Sequence, residues 1–255
     1  MSVIPIEVAA RRDGGSRSFH DSCLVVIPAA NREKTIFHVV NELRDRGFKY
    51  IRVIDSGSVD STALRARAAG AEVVREQLCG FGRRCPRGLD EIPHGIAWIL
   101  FCNGDGSDDP SNLDALLAET EHADLVIGNR TAWDAAALDV QRFGNWILSK
   151  LIQRGWGVRF ATFGTLRLVR REALDAIQMR HHGSGWNVVM QIRAIEARLK
   201  IREVPVRPRT PESRRSTFER TIADAASVAG AILQAVARIY FGGDRTTAMG
   251  RDEGP

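Results

Sequence analysis

Short apolar runs alternate with amphipathic stretches along most of this chain. "CLVVIP" (23–28) is continuously apolar and ends on proline, after which Ile36, Val39, Val40 and Leu43 recur at helical spacing until Gly47. That pattern predicts a strand followed by a helix. "YIRVID" (50–55) is a second strand. "GSVDSTALRARAAG" follows as a helix with Ser58 or Asp60 as N-cap and Gly70 as its stop, and "AEVVRE" (71–76) is a third strand. "AWILFC" (97–102) is apolar throughout. A helix over about 111–122 and the strand "DLVIGN" (124–129) come next.

Beyond them the spacing predicts a helix near 142–154, a strand "LRLVR" (166–170), helices near 171–179 and 187–199, and a strand "IREVPVR" (201–207). Continuous Val/Ile/Leu strands separated by helices indicate an α/β fold, with a mostly parallel twisted sheet covered by helices on both faces. In such sheets ligands bind where the strands end, so the polar stretches 55–60 and 103–109 become candidate sites. Residues 1–21 and 242–255 lack periodicity and read as mobile tails around one domain, 22–217. A helix over 218–241 carries Phe218, Ile222, Val228, Ile232, Val236 and Tyr240, and reads either as packed on the domain or as lying in a membrane interface.

Composition narrows the partners. Thirty-six basic and 31 acidic residues give +5, which favours anionic ligands, but no long Lys/Arg run or zinc-finger spacing supports nucleic acid as the main partner. The four cysteines form no CxxC pair. With no secretory signal read at the N-terminus and no apolar run long enough to span a bilayer, a reducing, cytoplasmic setting is expected.

The strongest candidate chemistry lies in "FCNGDGSDDP" (101–110), where Asp105, Asp108 and Asp109 follow a strand. Clustered carboxylate oxygens suit a hard cation such as Mg2+ or Mn2+, although the same residues would also make a solvated acidic turn that caps the next helix. "CGFGRR" (79–84) adds a Gly-rich turn beside two arginines, without the glycine count of a dinucleotide fingerprint. Of the five tryptophans, Trp186 in "GSGWNVVMQIRA" is the one placed to stack on a ligand; the others read as core. His181 and His182 read as loop residues.

Taken in order, "VVIPAANREKTI", "VIDSGSVDST", "GAEVVRE", "GFG", "FCNGDGSDDP", "DLVIGNR", "QRFGN", "RLVRREAL" and "EVPVR" resemble family 2 glycosyltransferases of the GT-A fold. They look most like bacterial relatives of polyprenyl-phosphate (dolichyl-phosphate-type) mannose and glucose synthases. The resemblance implies an inverting transfer of a sugar from a nucleoside-diphosphate donor to a lipid phosphate, assisted by Mg2+ or Mn2+. It implies nucleotide-sugar contacts at Pro28, Ala29, Asp55, Asp60, Gly80, Gly82, Asn103 and Gly104, and a metal at Asp105 and Asn103. It also implies acceptor-phosphate contacts at Arg130 and Arg142, a diphosphate contact at Arg167, a mobile basic loop around Ser213–Ser216, and weak peripheral membrane association.

Four family acids are replaced, by Arg32, Asn103, Thr162 and Val189. Asparagine can ligate a cation through its amide oxygen but contributes no charge. Two alternatives therefore stand beside the lipid-phosphate reading: a nucleotide-sugar binder or assembly partner that has lost turnover, and a glycosyltransferase acting on a soluble hydroxyl acceptor. The absence of an acid at Val189 favours a phosphate acceptor, which is already anionic and needs no general base.

Overall fold

The computed structural model describes residues 18–76, 85–130, 139–179 and 185–209, together with Gly230, Gln234, Val236, Ala237 and Ile239; for residues 139–143 it describes the backbone alone. A 3-10 turn, Phe19–Ser22, leads into β1 (Cys23–Ala29), α1 (Ile36–Asp45), β2 (Tyr50–Asp55), α2 (Thr62–Ala68), β3 (Glu72–Arg75) and β4 (Trp98–Phe101). A second 3-10 turn, Pro110–Asn112, opens α3 (Leu113–Ala118). There follow β5 (Leu125–Asn129), α4 (Asp139–Trp156), β6 (Arg167–Arg170), α5 (Arg171–Ile177), α6 (Trp186–Glu196) and β7 (Ile201–Pro205).

The α1 helix illustrates how local sequence sets these limits. Ile36, Val39, Val40 and Leu43 form its buried stripe. The helix stops where Gly47 takes φ of 94°, with the Gly47 amide donating to the Arg44 carbonyl (2.8 Å) and the Phe48 amide to that of Leu43 (3.1 Å), a closure that satisfies the last carbonyls of a helix. The expected N-terminal tail is shorter than its composition suggests. Phe19 packs 6.0 Å from Trp98 and His20 4.8 Å from Phe48, because the apolar rims of β4 and the β2 approach need covering.

Seven strands form one sheet in the order β3-β2-β1-β4-β6-β5-β7. β1 pairs in parallel with β2 and β4, β2 with β3, and β5 with β7. Only β6 runs against its neighbours, antiparallel to both β4 and β5. The pleat sends Cys23, Val25 and Ile27 to one core layer with α1 and α3, and Leu24 and Val26 to the other with α4, α5 and α6. Both faces are covered, as the continuous apolar strands require. Val236 and Ile239 are buried in the second layer, so at these two positions the expected C-terminal helix faces the domain. The remainder of that helix and the loop around 213–216 lie outside the described residues.

Because β6 is reversed, its beginning stands beside the ends of β4 and β5: Arg167 pairs with Phe101 and with Ile127. One crest of the sheet thus collects the ends of β1, β2, β4, β5 and β7 and the start of β6. A second organising contact lies lower down. Arg52, 4% exposed on β2, donates to Glu72 (2.8 Å) and to the carbonyls of Gly88 (3.1 Å), Asp90 and Glu91 (3.4 Å), and so binds the segment leading to β4. Gly88 lies so close to the sheet that a Cβ there would come within 2.4 Å of Val26 Cγ1. Replacing Arg52 by alanine removes the donor shared by these carbonyls, that of the buried Gly88 among them, and leaves a buried gap on β2; it should cost about 3 kcal/mol, lowering the thermal midpoint by roughly 6–12 °C. Calorimetry on the variant checks this, and a shift below about 2 °C would show that water replaces the guanidinium.

Candidate functional site

The loop after β4 sits at the centre of the crest. Gly104 is buried under it, and a Cβ at that position would meet Ile27 and Ile36, each at 3.3 Å; its carbonyl accepts the Thr35 hydroxyl at 2.7 Å. Gly106 supplies the left-handed turn with φ of 75°. The loop then closes on itself. Asp108 accepts the Asn103 amide N–H at 2.7 Å with one oxygen and the Arg130 guanidinium with the other. Burial pushes the Asp108 carboxyl above the usual carboxylate range, while Arg130 pulls the other way.

Within this frame Asp105 is half-buried, and its Oδ1 accepts the Ser107 amide at 3.0 Å. The Asn103 side-chain NH2 donates to Thr165 (2.7 Å) and Ser107 (3.4 Å), which leaves the amide oxygen as its ligating end. One carboxylate and one amide oxygen are hard donors suited to Mg2+ or Mn2+, but too few to hold either alone. Among the described residues no group of three or more His, Cys, Asp or Glu could hold a metal ion by itself. The donor set fits a cation that brings further oxygens with it, as a diphosphate does. Asp109, the third acid, caps the next turn by accepting the Ser111 amide, as the simple helix-capping reading expects.

The ends of β1 and β2 complete the crest. Ala29 pairs with Asp55, and its carbonyl accepts the Ser56 amide at 3.0 Å. Pro28, Ala29 and Asp55 are buried, and Asp55 Oδ1 accepts the Ser58 amide at 3.2 Å. The loops that follow are laced together: Asn31, with φ of 51°, donates its amide to Ser58 and accepts that of Val59. Arg32 N–H donates to Thr62 at 2.6 Å. Asp60 accepts from the Glu33 amide (3.2 Å) and from both the amide and hydroxyl of Thr62. Its oxygens thus hold the two loops together and take the Thr62 amide at the start of α2.

Two arginines also sit differently from expectation. Arg130 is at the crest, but its guanidinium is committed to Asp108 and Ser107 rather than held open for an acceptor phosphate. Arg167 is fully buried, its head donating to the carbonyls of Gly164 and Asn187 and to Met190 Sδ. This removes it from direct contact with a diphosphate in this conformation. Burial drops its pKa to about 10, so it remains a cation at neutral pH.

Trp186 is likewise buried, edge-on to Phe101 at 5.1 Å, and belongs to the core rather than to a stacking platform. Gly80, Gly82, His181, His182 and the Arg142 side chain lie outside the described residues.

Sequence reasoning missed several contributors. Thr35 and Thr165 tie the β4 loop to its neighbours, and Glu203 on β7 accepts the amides of Ala161 and Thr162, each at 3.1 Å. Ser56 is buried beside Asp55 with its hydroxyl unpartnered among the described residues. Hydroxyl-bearing residues next to strand ends were the available signal, but they carry no periodicity.

The model of glycosyl transferase family 2 matches residues 24–178, which span β1 to the end of α5. The chain belongs to this family. Its curated relatives include the glycosyltransferase AglJ of Haloferax volcanii, 29% identical over 190 residues, 72% of this chain and 62% of AglJ; the chain thus spans less than two thirds of that relative's length. An uncharacterized glycosyltransferase of Mycobacterium tuberculosis is 31% identical over 196 residues, 74% of this chain and 87% of that protein. Among solved structures, the M. tuberculosis glucosyl-3-phosphoglycerate synthase bound to Mn2+, UDP-glucose and phosphoglyceric acid superposes with a TM-score of 0.70 at 21% identity. That match covers 90% of this chain and 82% of that one. It places the sheet of this family 2 glycosyltransferase in the GT-A fold.

The loop lacing gives an acid-sensitive element. Burial works to raise the Asp60 pKa, but the bonds from Thr62 and the Glu33 amide outweigh it and leave the carboxyl lowered. A carboxylate lowered in the folded state contributes stability above its unfolded pKa of about 3.9, and this is lost as pH falls through the folded value. Asp60→Asn should therefore be less stable than wild type at neutral pH and decline less steeply between about pH 5 and pH 2. Urea titrations across that range measure both effects.

Proposed function

We propose that this glycosyltransferase moves a sugar from a nucleoside-diphosphate donor to a lipid phosphate of the polyprenyl class, with inversion and with a Mg2+ or Mn2+ ion held jointly by protein and donor. The observation that carries the reading is the half-buried Asp105 carboxylate on a braced loop at the end of β4, beside the ends of β1 and β2. The nucleoside would sit against Pro28, Ala29 and Asp55, where the Ser56 hydroxyl awaits a partner. The diphosphate would lie toward Asn103 and Asp105.

In the transfer, an acceptor phosphate oxygen attacks the anomeric carbon from the face opposite the leaving group. The bond from that carbon to the diphosphate breaks, and its electron pair leaves on the diphosphate oxygen. A cation held by Asp105 and the Asn103 amide oxygen would supply positive charge to offset the negative charge that grows there. Asp105 and the Asn103 amide oxygen hold the reacting end in place, and no residue needs to remove a proton from an acceptor that is already an anion. The buried Val189 on α6 offers no carboxylate to take a proton, which accords with an acceptor of this kind.

A soluble acceptor is the second reading. It is favoured by the commitment of Arg130 to Asp108 and by the likeness of fold to a synthase whose crystals hold phosphoglyceric acid. The products separate the two: radiolabel from the donor sugar enters the organic phase with a polyprenyl phosphate acceptor and stays in water with a small one.

The sparse donor set yields a specific expectation. Mn2+ alone should leave the thermal midpoint unchanged, whereas Mn2+ with the correct nucleotide at ~100 times its dissociation constant should raise it by about 5–10 °C. Asp105→Ala should abolish the metal-dependent part of that rise and the transfer with it. Equal shifts with and without Mn2+ would remove the metal from the mechanism, and stabilisation without any transfer would identify a binder that no longer turns over.

A further inference from the structure

The segment that leaves β7 does more than end the sheet. Val206 still pairs with β5, its amide donating to the Asn129 carbonyl at 2.8 Å, and the chain then runs along the outer side of the β4 loop. Asn112 and Arg207 exchange two hydrogen bonds, side-chain NH2 to carbonyl (2.8 Å) and amide to side-chain oxygen (3.0 Å). Pro208 forms an isolated antiparallel bridge with Asp108, and the Arg209 amide donates to the Ser107 carbonyl at 3.0 Å. The Arg209 guanidinium then spans two elements, donating to Glu42 on α1 at 2.7 Å and standing 3.4 Å from Asp109 Oδ1.

From this arrangement we infer that Arg209 is a positioning residue for the donor site, fixing the 103–109 loop against α1 and thereby setting where Asp105 meets the metal diphosphate. The inference rests on the donor reading given above and concerns the rigidity of the loop, not a new ligand. The reasoning is geometric. Asp105 is two residues from Ser107, whose carbonyl the Arg209 backbone amide holds, and four from Asp109, which the Arg209 guanidinium ties to Glu42 on α1, so losing that side chain frees the Asp109 end of the loop from α1 while the backbone bond to Ser107 and the Thr35 anchor at Gly104 remain. A carboxylate on a loop held by fewer struts samples more positions even with Asp108 still paired to Arg130, and a site with few protein donors tolerates that poorly. Glu42 serves as the fixed post, because α1 is packed on the sheet through its buried stripe.

The test uses the full-length protein and the variants Arg209→Ala, Arg209→Lys and Glu42→Gln. Amide hydrogen exchange over 104–109 should accelerate in Arg209→Ala while β1, β2 and β4 exchange as in wild type. The Mn2+ concentration giving half of the nucleotide-dependent thermal shift should rise about tenfold, with the ligand-free midpoint nearly unchanged because Arg209 is half-exposed. Arg209→Lys, which can reach one carboxylate but not both, should recover part of the effect, and Glu42→Gln should move both readouts in the same direction by less.

A twofold or smaller change in the Mn2+ requirement together with unchanged exchange of the loop in Arg209→Ala overturns the inference while leaving the donor site intact. Global destabilisation with uniform exchange overturns it too, by making Arg209 merely structural. A wild-type protein with no Mn2+-dependent nucleotide shift fails differently: it removes the donor reading and this role together, even if loop exchange still responds to the mutation.

Discussion

Asp108 is the knot on which the crest of this protein depends. Its two oxygens take the Asn103 amide and the Arg130 guanidinium, so a single buried carboxylate joins the start of the β4 loop to the end of β5. Removing a carboxylate from water is costly unless it is paired, and the pairing dictates much of what surrounds it. The loop must double back to bring its acid inward. In doing so it leaves Asp105 half-buried within the turn, bonded to the Ser107 amide, and Asp109 free to cap the next turn. The same pairing draws Arg130 into the wall of the site. A cation that looks from the sequence like an acceptor contact is, in the folded state, first of all the counter-charge of Asp108.

Much of the framework was legible because burial on both faces of a sheet leaves a strong trace. "CLVVIP", "YIRVID" and "AWILFC" could hardly be anything but central strands, and each lies within a residue or so of where it was read. Continuous apolarity, however, carries no information on direction. Nothing in "LRLVR" announces that β6 runs against β4 and β5, and that reversal is what brings Thr165 to Asn103.

The roles of polar residues were harder for a related reason. Asp60, Arg130 and Arg167 find their partners far along the chain or on backbone atoms, and sequence spacing does not encode such encounters. The strand-end positions Pro28, Ala29, Asp55, Asn103 and Asp105, which the family resemblance picks out, stand along one crest because parallel strands end on the same side. The hydroxyls of Thr35, Ser56 and Thr165 were not, since serine and threonine occur in every loop.

Thr162, which stands where the family resemblance implies an acid, acquires a physical meaning from its neighbours. Thr162 is buried, with its amide held by Glu203 and its carbonyl by Gln191, and its hydroxyl receives the Gly164 amide. The segment is therefore braced by local bonds and needs no negative charge of its own. Nearby, the Arg167 head donates to two carbonyls and a thioether, with the Cys85 thiol close enough to act on its charge, and burial has weakened its hold on its proton. The interior here is one cation in excess among the described contacts. It is stabilised by dipoles rather than by an ion pair, an arrangement that holds a guanidinium in place without neutralising it.

The reversed strand also governs how the chain must assemble. During synthesis β1 to β4 emerge first and can pair as β3-β2-β1-β4, but the free side of β4 has no partner until residues 167–170 follow, well after β5 and α4. Until then "WILF" presents an apolar strand with an open row of backbone donors and acceptors, the kind of edge that recruits another copy of itself. A fragment ending before β6 would therefore behave as an aggregating half-sheet, and the few residues of that strand decide whether the nascent protein closes on itself or on its neighbours.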